Sequence, residues 1–362
     1  MPERKFYKKT TRQAPPDYAL IIHPVTEELL FHYEPGMKNK PKKIIRKLLE
    51  WIKPFKISEV DVLRSKDGKE IRGCLVMCPL LLEQMVQLEP QFVLEKIVNA
   101  GRFAKDLGAR IIGLGAYAAL IGNCGRVVEN QIKLPVTTGS SYTVATFAQG
   151  VKKAASLMNI SLKESKMTIL GATSAIGRYC AAFFSPLVER LELCAKNLAK
   201  LDNILLELNA YKRKIRKSDN PEKSIRRSDI VIVTGRGTSF DLDSFQSNSL
   251  VCDATYPRTI SLEMKKRDDI FVMEGVAVKV PHEVRFNFYF GLPSGLAYPC
   301  MAEPMILALD NRFESFSLGI KIDQSKVREI SELAEKHNFK IAGLISFGKV
   351  VSDEEVKKLA RN

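Results

Sequence analysis

The chain contains no uncharged apolar run approaching the roughly 18 residues that a membrane-spanning helix needs, so no transmembrane segment is expected. The basic residues 1–12 are followed by a polar stretch, 14–16, and not by an apolar one. A secretory signal is therefore not expected either. An even set of cysteines is also missing. The seven, Cys74, Cys78, Cys124, Cys180, Cys194, Cys252 and Cys300, sit mostly inside apolar runs, which points to reduced thiols in a cytoplasmic protein. Cys74-x-x-x-Cys78 lacks a second Cys/His pair at zinc spacing, so no metal site is expected. Acidic side chains are the scarcer sign, 41 against 56 basic ones, giving a net charge of +15. Such a field attracts polyanions or acidic proteins. Zinc-finger spacing, a recognition-helix signature and an aromatic-rich RNA motif are all missing, which argues against nucleic acid.

The 362 residues are 45% hydrophobic and 27% charged, an ordinary globular balance, and the length fits two or three domains of about 150 residues. The basic residues cluster at 1–12, 38–56 and 211–227. Within the second cluster, 41–51 reads as an amphipathic helix. Ile44, Ile45, Leu48, Leu49 and Ile52 form its inner face, and Lys42, Lys43, Arg46 and Lys47 its outer one. A core helix is the simpler reading, with peripheral membrane contact as the other.

Strand patterns at 18–23 (YALIIH), 74–77 and 111–114, with helices at 83–88 and 91–107, describe a first α/β domain. The segment 137–143 (TTGSSYT) suits either a close backbone approach to a ligand at its glycine or a helix start capped by Thr138 or Ser140. The cap is the simpler reading for the helix expected over 144–158.

From 166 the pattern becomes strand (KMTIL), turn (GATSAIG), helix, strand (191–194), helix, strand (DIVIV at 229–233) and strand (250–253). This is the series of a doubly wound parallel sheet. The expected fold class is α/β: a Rossmann-type doubly wound parallel sheet domain, an α/β N-terminal substrate domain and a helical C-terminal segment. The expected boundaries are a basic flexible arm at 1–17, the substrate domain at 18–140, the dinucleotide-binding domain at 141–280 and the C-terminal segment at 281–362.

The turn Gly171-Ala172-Thr173-Ser174-Ala175-Ile176-Gly177 lies between strand and helix, where backbone N–H groups can hold a pyrophosphate. Ser174 stands where many such loops carry a middle glycine. The second strand ends in Cys194-Ala195-Lys196-Asn197, without the carboxylate that binds a ribose 2′-hydroxyl. Lys196 and Asn197 suit a 2′-phosphate, so NADPH is the expected cofactor.

Cys300 precedes MAEPMILAL, a helical pattern in which Pro304 fits only within the first turn. That places the thiol at a helix N-terminus, where the dipole is expected to lower its pKa. Cys180, Cys194 and Cys252 read as packing residues, and Glu303 as support for the helix start.

The segments VTTGSSYT (136–143), LGATSAIG (170–177), CAKNLAKLDN (194–203), DATYP (253–257) and YPCMAEPMIL (298–307), with His23-Pro24 near the start, occur in the order found in long-chain fatty acyl–acyl carrier protein reductases of the cyanobacterial, aldehyde-forming type. The chain resembles a divergent member of that family from about 18 to 344. The resemblance implies NADPH-dependent reduction of long-chain acyl-ACP, or acyl-CoA, to a fatty aldehyde through a thioacyl adduct on Cys300. It makes the hydroxyls of Thr138, Ser140, Tyr142 and Tyr256 substrate or oxyanion candidates, and Tyr256, His23 and His282 candidate proton donors. It implies an acidic acyl carrier protein as partner, with 38–56 as first choice of docking face, and an enzyme that consumes the aldehyde. The runs 80–85 and 111–120 are candidate lining for an acyl tunnel.

Two other readings stay open. A shikimate-dehydrogenase-like or glutamyl-tRNA-reductase-like enzyme shares the two-domain plan; in the latter Cys74 or Cys78 would be the nucleophile. A basic protein that binds a dinucleotide and nucleic acid without catalysis is the other.

Overall fold

The computed structural model describes residues 14–65, 67–235 and 241–361. Most of the expected 1–17 arm lies outside these residues.

Three sheets organise the described residues. The first joins β1 (Tyr18–Ile22), β2 (Phe55–Arg64), β3 (Glu70–Met77), β4 (Ile111–Leu114) and β5 (Val136–Thr137) in the order β2-β3-β1-β4-β5. All neighbours are parallel except β2 and β3. The second contains β6 (Lys166–Leu170), β7 (Arg190–Cys194), β8 (Ile215–Ser218), β9 (Ile230–Val233), β10 (Leu250–Asp253) and β11 (Phe271–Met273). Its order is β11-β10-β9-β6-β7-β8 and every pair is parallel. Counted from its own first strand, that is the 3-2-1-4-5-6 order of the doubly wound dinucleotide-binding sheet. β9 and β10 are buried along their whole length, as strands covered on both faces must be, and so they read as unbroken apolar runs.

The third sheet corrects the expected helical C-terminal segment. β12 (Gly275–Lys279), β13 (Leu296–Ala297), β14 (Lys340–Ser346) and β15 (Lys349–Val351) form an antiparallel sheet in the order β13-β12-β14-β15. Residues 281–362 are thus mixed. Their helix Pro299–Leu309 returns to the first sheet, packing against β1, β3 and β4 and against the helix Ser140–Leu157. Helix Ser140–Leu157 also touches β10, β12 and β14, so it bridges the second and third sheets and reaches the first through helix Pro299–Leu309. Pro304 is the sixth residue of its helix, beyond the first turn where it was expected. Its missing N–H would have bonded the Cys300 carbonyl, which therefore lacks its ordinary helical partner. The proline ring packs where Gly113 of β4 leaves room: a Cβ there would lie 2.6 Å from Pro304 Cγ.

The basic helix also departs from expectation. Over Lys42–Trp51 only Ile45 and Leu49 are buried, packed with Leu30 and Leu81; Ile44 and Leu48 face solvent. Several of its cations are neutralised. Lys42 pairs with Glu27 at 2.8 Å, Arg46 with Glu83 at 2.6 Å and Lys47 with Glu50 at 3.1 Å. Leu80, Met85, Ile112, Leu114 and Ala118, from the two runs considered for a tunnel, belong to the core cluster around β1 and β4. Among the described residues no helix is long and apolar enough to cross a membrane.

Candidate functional site

Cys300 occupies the second position of helix Pro299–Leu309, and it alone of the eleven residues is not fully buried. The other half-buried cysteine is Cys124. Burial pushes both thiols up from the ordinary value, so the expected net lowering of Cys300 is not found. What the helix start supplies is opposition to that burial. Backbone hydrogen bonds from Ala116, Met301 and Cys300 itself favour the thiolate, while the Glu303 carboxylate disfavours it. For Cys124 burial alone acts. Cys74 and Cys78 are buried with thiols pushed up to about 12, which makes them poor nucleophiles.

Gly139 sets the second wall. It is the N-cap of helix Ser140–Leu157, at φ +70°, and no side chain caps that start as Thr138 or Ser140 was expected to. A Cβ on Gly139 would lie 2.2 Å from Cys300 Cα and 2.7 Å from its carbonyl oxygen. Two helix N-termini therefore meet at Cys300, and both present their positive ends there. The close approach foreseen for this glycine is to the cysteine backbone.

The capping groups come from elsewhere in the chain. Glu303 is fully buried; one carboxylate oxygen accepts from the Tyr142 amide at 2.8 Å and the other from the Thr137 hydroxyl. Ser317 Oγ accepts from the Ser141 amide at 3.1 Å and the Thr138 hydroxyl donates to the Ser317 carbonyl. Glu303 thus supports a helix start, as expected, but the start of the other helix. Burial raises its carboxyl, and the hydroxyls of Ser317 and Thr137 with the Tyr142 amide counter this. Ser140 Oγ lies 3.1 Å from Thr138 Oγ1 and stays half-buried. Tyr142, in contrast, is packed with Met301, Ala302 and Met305, and Glu335 is the charge that acts on its phenol; it is a core residue.

The third wall is the 115–125 connection after β4. Ala116 has φ +50°, a left-handed backbone that aims its N–H at the thiol side of the helix. His23 holds the next residue. Its Nε2 accepts from the Tyr117 amide at 3.2 Å, and Nδ1 lies 3.2 Å from the Pro24 carbonyl, so the ring is the neutral Nδ1–H tautomer. Burial lowers its pKa to about 4. His23 therefore supports the turn and is not a proton donor at neutral pH. Between an ordinary histidine near 6.5 and about 4, the unfolded chain takes up a proton that the folded one refuses. Its contribution is present above 6.5 and lost as pH falls toward 4. His23→Gln keeps an acceptor for Tyr117 and removes the titration. In urea unfolding, wild type should lose about 2 kcal/mol more than this variant between pH 7 and 4.5; equal losses would contradict the assignment.

Tyr256 closes the site from the second sheet. Asp253, fully buried at the end of β10, accepts from the amides of Thr255, Thr259, Ile260 and Ser261 at 3.0–3.2 Å and from Ser261 Oγ at 2.9 Å. This carboxylate folds the loop that carries Tyr256 toward Tyr117, with ring centroids 6.5 Å apart. Burial raises the Tyr256 phenol, with Cys300 and Tyr298 adding to the rise and Arg258 opposing it. The carboxyl ends of β4 and β10 thus approach each other through the Tyr117–Tyr256 contact, beside Cys300. His282 is exposed in the turn after β12.

The glycine loop fits a nucleotide in shape. Gly171 has φ +80°, and a Cβ there would lie 2.4 Å from the Gly235 amide. On Gly177 it would lie 2.6 Å from the Gly171 carbonyl. Thr173, Ser174, Ala175 and Ile176 remain half-buried above the strand ends, while Ala172 is buried. Ser174 caps the helix: its Oγ accepts from the Gly177 amide at 3.0 Å and donates to Thr234 at 2.9 Å. One of the N–H groups expected to be free for phosphate is therefore engaged. Asn197 likewise caps the next helix through the Lys200 amide at 3.1 Å, whereas Lys196 is exposed at the end of β7.

No protein-family model matches the chain. It is 27% identical over 311 residues to the aminotransferase PigE of a Serratia species, covering 83% of this chain but only 36% of that protein. It is 24% identical over 302 residues to the long-chain acyl-[acyl-carrier-protein] reductase of Synechococcus elongatus, covering 79% of this chain and 87% of that one. The chain thus spans about a third of the first relative's length. Similar solved structures include L-tryptophan dehydrogenase from Nostoc punctiforme, 12% identical with a TM-score of 0.38 over 89% of this chain and 80% of that one. Quinate dehydrogenase from Corynebacterium glutamicum, in complex with NAD, is 11% identical with a TM-score of 0.33 over 88% and 99%.

Proposed function

We propose that the protein is a nicotinamide-dependent oxidoreductase that reduces a long-chain acyl thioester to an aldehyde through an acyl group held on Cys300. The observation that carries this reading is the single half-buried residue of an otherwise buried helix, a thiol at the meeting point of two helix N-termini. The relative named as a long-chain acyl-[acyl-carrier-protein] reductase supports the substrate class.

Each group then has a task. Cys300, as thiolate, attacks the thioester carbonyl; a new S–C bond forms, and the carrier thiolate leaves and takes up a proton. The backbone N–H groups of Ala116 and Cys300 that favour a thiolate are the oxyanion donors in this reading, since the Met301 amide already donates to the Tyr298 carbonyl at 2.9 Å. His23 fixes the turn that carries the Ala116 donor. Tyr256, kept protonated by burial, is the hydroxyl on the opposite wall able to hydrogen-bond the oxyanion left by hydride addition, which then re-forms the carbonyl, breaks the C–S bond and releases the aldehyde with the Cys300 thiolate. NADPH, held at the carboxyl edge of the second sheet, would supply the hydride for the acyl carbon. The 171–177 turn, kept tight by the mutual packing of Gly171, Gly177 and Gly235, would hold its pyrophosphate, and Lys196 would meet the 2′-phosphate at the ribose end. Lys196→Glu should weaken NADPH about tenfold and leave NADH nearly unchanged. Equal losses for both, measured by calorimetry, would remove the 2′-phosphate from the account.

The net charge of +15 favours an acidic acyl carrier protein over a neutral donor, with acyl-CoA as the other anionic donor. An aldehyde product is reactive, so we expect an enzyme that consumes it; the relative named as an aminotransferase supports amino transfer as that step. The reading is tested by intact-protein mass spectrometry after incubation with a long-chain acyl thioester and no NADPH. One acyl mass on the Cys300 peptide is expected; an acyl mass on Cys74 or Cys78 would favour the alternative two-domain plan.

A further inference from the structure

The helix Lys42–Trp51 is firmly held yet turns an apolar ridge outward. Its inner face packs on Leu30 and Leu81, and one flank is fixed by the Lys42–Glu27 and Arg46–Glu83 ion pairs. Its last turn is clasped by the buried Lys96, whose Nζ donates to the carbonyls of Glu50 at 2.8 Å and Ile52 at 2.7 Å. With both ends and the underside fixed, the exposure of the opposite face is a designed orientation and not fraying. That face carries Ile44, 50% exposed, Leu48, 42% exposed, and Trp51, 78% exposed, the one tryptophan of the chain. At i, i+4 and i+7 they form a single ridge. Lys43 and Lys47 run beside it, and Lys38, Lys40 and Lys53 are exposed at its two ends. Lys47 is paired with Glu50; among the described residues no carboxylate pairs with Lys38, Lys40, Lys43 or Lys53. Past the helix, Phe55 stacks with the exposed Tyr33 at 6.4 Å, and Tyr289, also exposed, lies 5.2 Å from His32.

We propose that this ridge docks the protein on an anionic lipid surface, with Ile44, Leu48 and Trp51 entering the headgroup boundary and Lys38, Lys40, Lys43 and Lys53 meeting lipid phosphates. The chemistry favours lipid over a protein partner. The ridge is convex and rimmed by lysine, a residue depleted at protein interfaces, whereas a tryptophan and leucine stripe edged with lysine is the pattern of an interfacial helix. The cations nearest Glu27 and Glu83, which an acidic protein would need, are already neutralised.

Trp51 is its own reporter. Full-length protein is mixed with vesicles of phosphatidylcholine alone or with phosphatidylglycerol added, and emission and co-sedimentation are read. A blue shift and co-sedimentation with the anionic vesicles only, both reduced by salt, are expected. Leu48→Glu and Lys43→Glu should each lower the bound fraction about tenfold with an unchanged thermal melt, since both side chains point to solvent. No shift with anionic vesicles, binding indifferent to lipid charge, or full binding by Leu48→Glu would overturn the proposal. So would a Trp51 shift produced by an acidic acyl carrier protein and not by vesicles. The readout is lipid binding, so it succeeds or fails independently of the thioester chemistry.

Discussion

Cys300→Ser should abolish formation of the acyl-enzyme and lower thioester-dependent NADPH oxidation by at least about a thousand-fold. The hydroxyl is a far weaker nucleophile than a thiolate, and it sits in a site that already opposes charge: burial pushes even the thiol above its ordinary value. Because the donors from Ala116, Met301 and Cys300 favour the ionised form without fully overcoming burial, the wild-type thiol should be mostly protonated at neutral pH. Its alkylation by iodoacetamide should therefore rise with pH through the alkaline range. Cys124→Ser supplies the control. Cys124 is also half-buried, but no backbone donors oppose its burial, so the variant should keep both adduct and turnover. Loss of turnover in Cys124→Ser with survival in Cys300→Ser would reverse the assignment of the nucleophile.

Four strands of the second sheet, β6, β7, β9 and β10, are legible in the sequence as short, largely apolar runs; β8, IRKS, and the three-residue β11 at the sheet's two edges carry no such signal. Gly171, Gly177 and Asn197 stand at the turns that backbone geometry requires of them. β2 was missed because it lies behind a run of lysines and its alternation, FKISEVDVLR, was not read as a strand. The outward turn of Ile44 and Leu48 was missed for a related reason. Their spacing is that of a helix face, but spacing does not say which of two adjacent faces finds a partner. The walls of the site were hidden for a different cause. Glu303 and Tyr142 are 161 residues apart, and Ala116 reaches Cys300 through a backbone N–H that any residue type would carry. Asp253 carries a sequence signal: a carboxylate at the end of a buried strand, followed by three Ser or Thr residues within eight positions, is a loop-organising pattern. Tyr142 and Tyr256 looked equivalent as hydroxyl candidates, and only packing separates the core residue from the one at the wall.

Gly139→Ala tests that wall with a single methyl group. Left-handed backbone at φ +70° costs a non-glycine residue roughly 1 kcal/mol, and overpacking a closed site costs typically about 1–3 kcal/mol more. The methyl cannot turn aside, because it would stand 2.2 Å from Cys300 Cα and 2.7 Å from both its Cβ and its carbonyl oxygen. One of the two helix starts must retreat. Helix Pro299–Leu309 is wedged against β4 by Pro304 at Gly113, and helix Ser140–Leu157 is held by Glu303 through the Tyr142 amide. Movement of either shifts the thiol relative to the Ala116 donor on a third element. A displacement of about 1 Å is enough to cost roughly a hundred-fold in rate. The variant should therefore lose about 2–4 kcal/mol of stability in urea unfolding and about a hundred-fold in acyl transfer, while still binding NADPH, because the glycine loop is untouched. Retention of wild-type acylation would mean that the meeting of the two helices has no part in positioning Cys300. Loss of NADPH binding along with it would mean that the two sheets do not keep separate tasks.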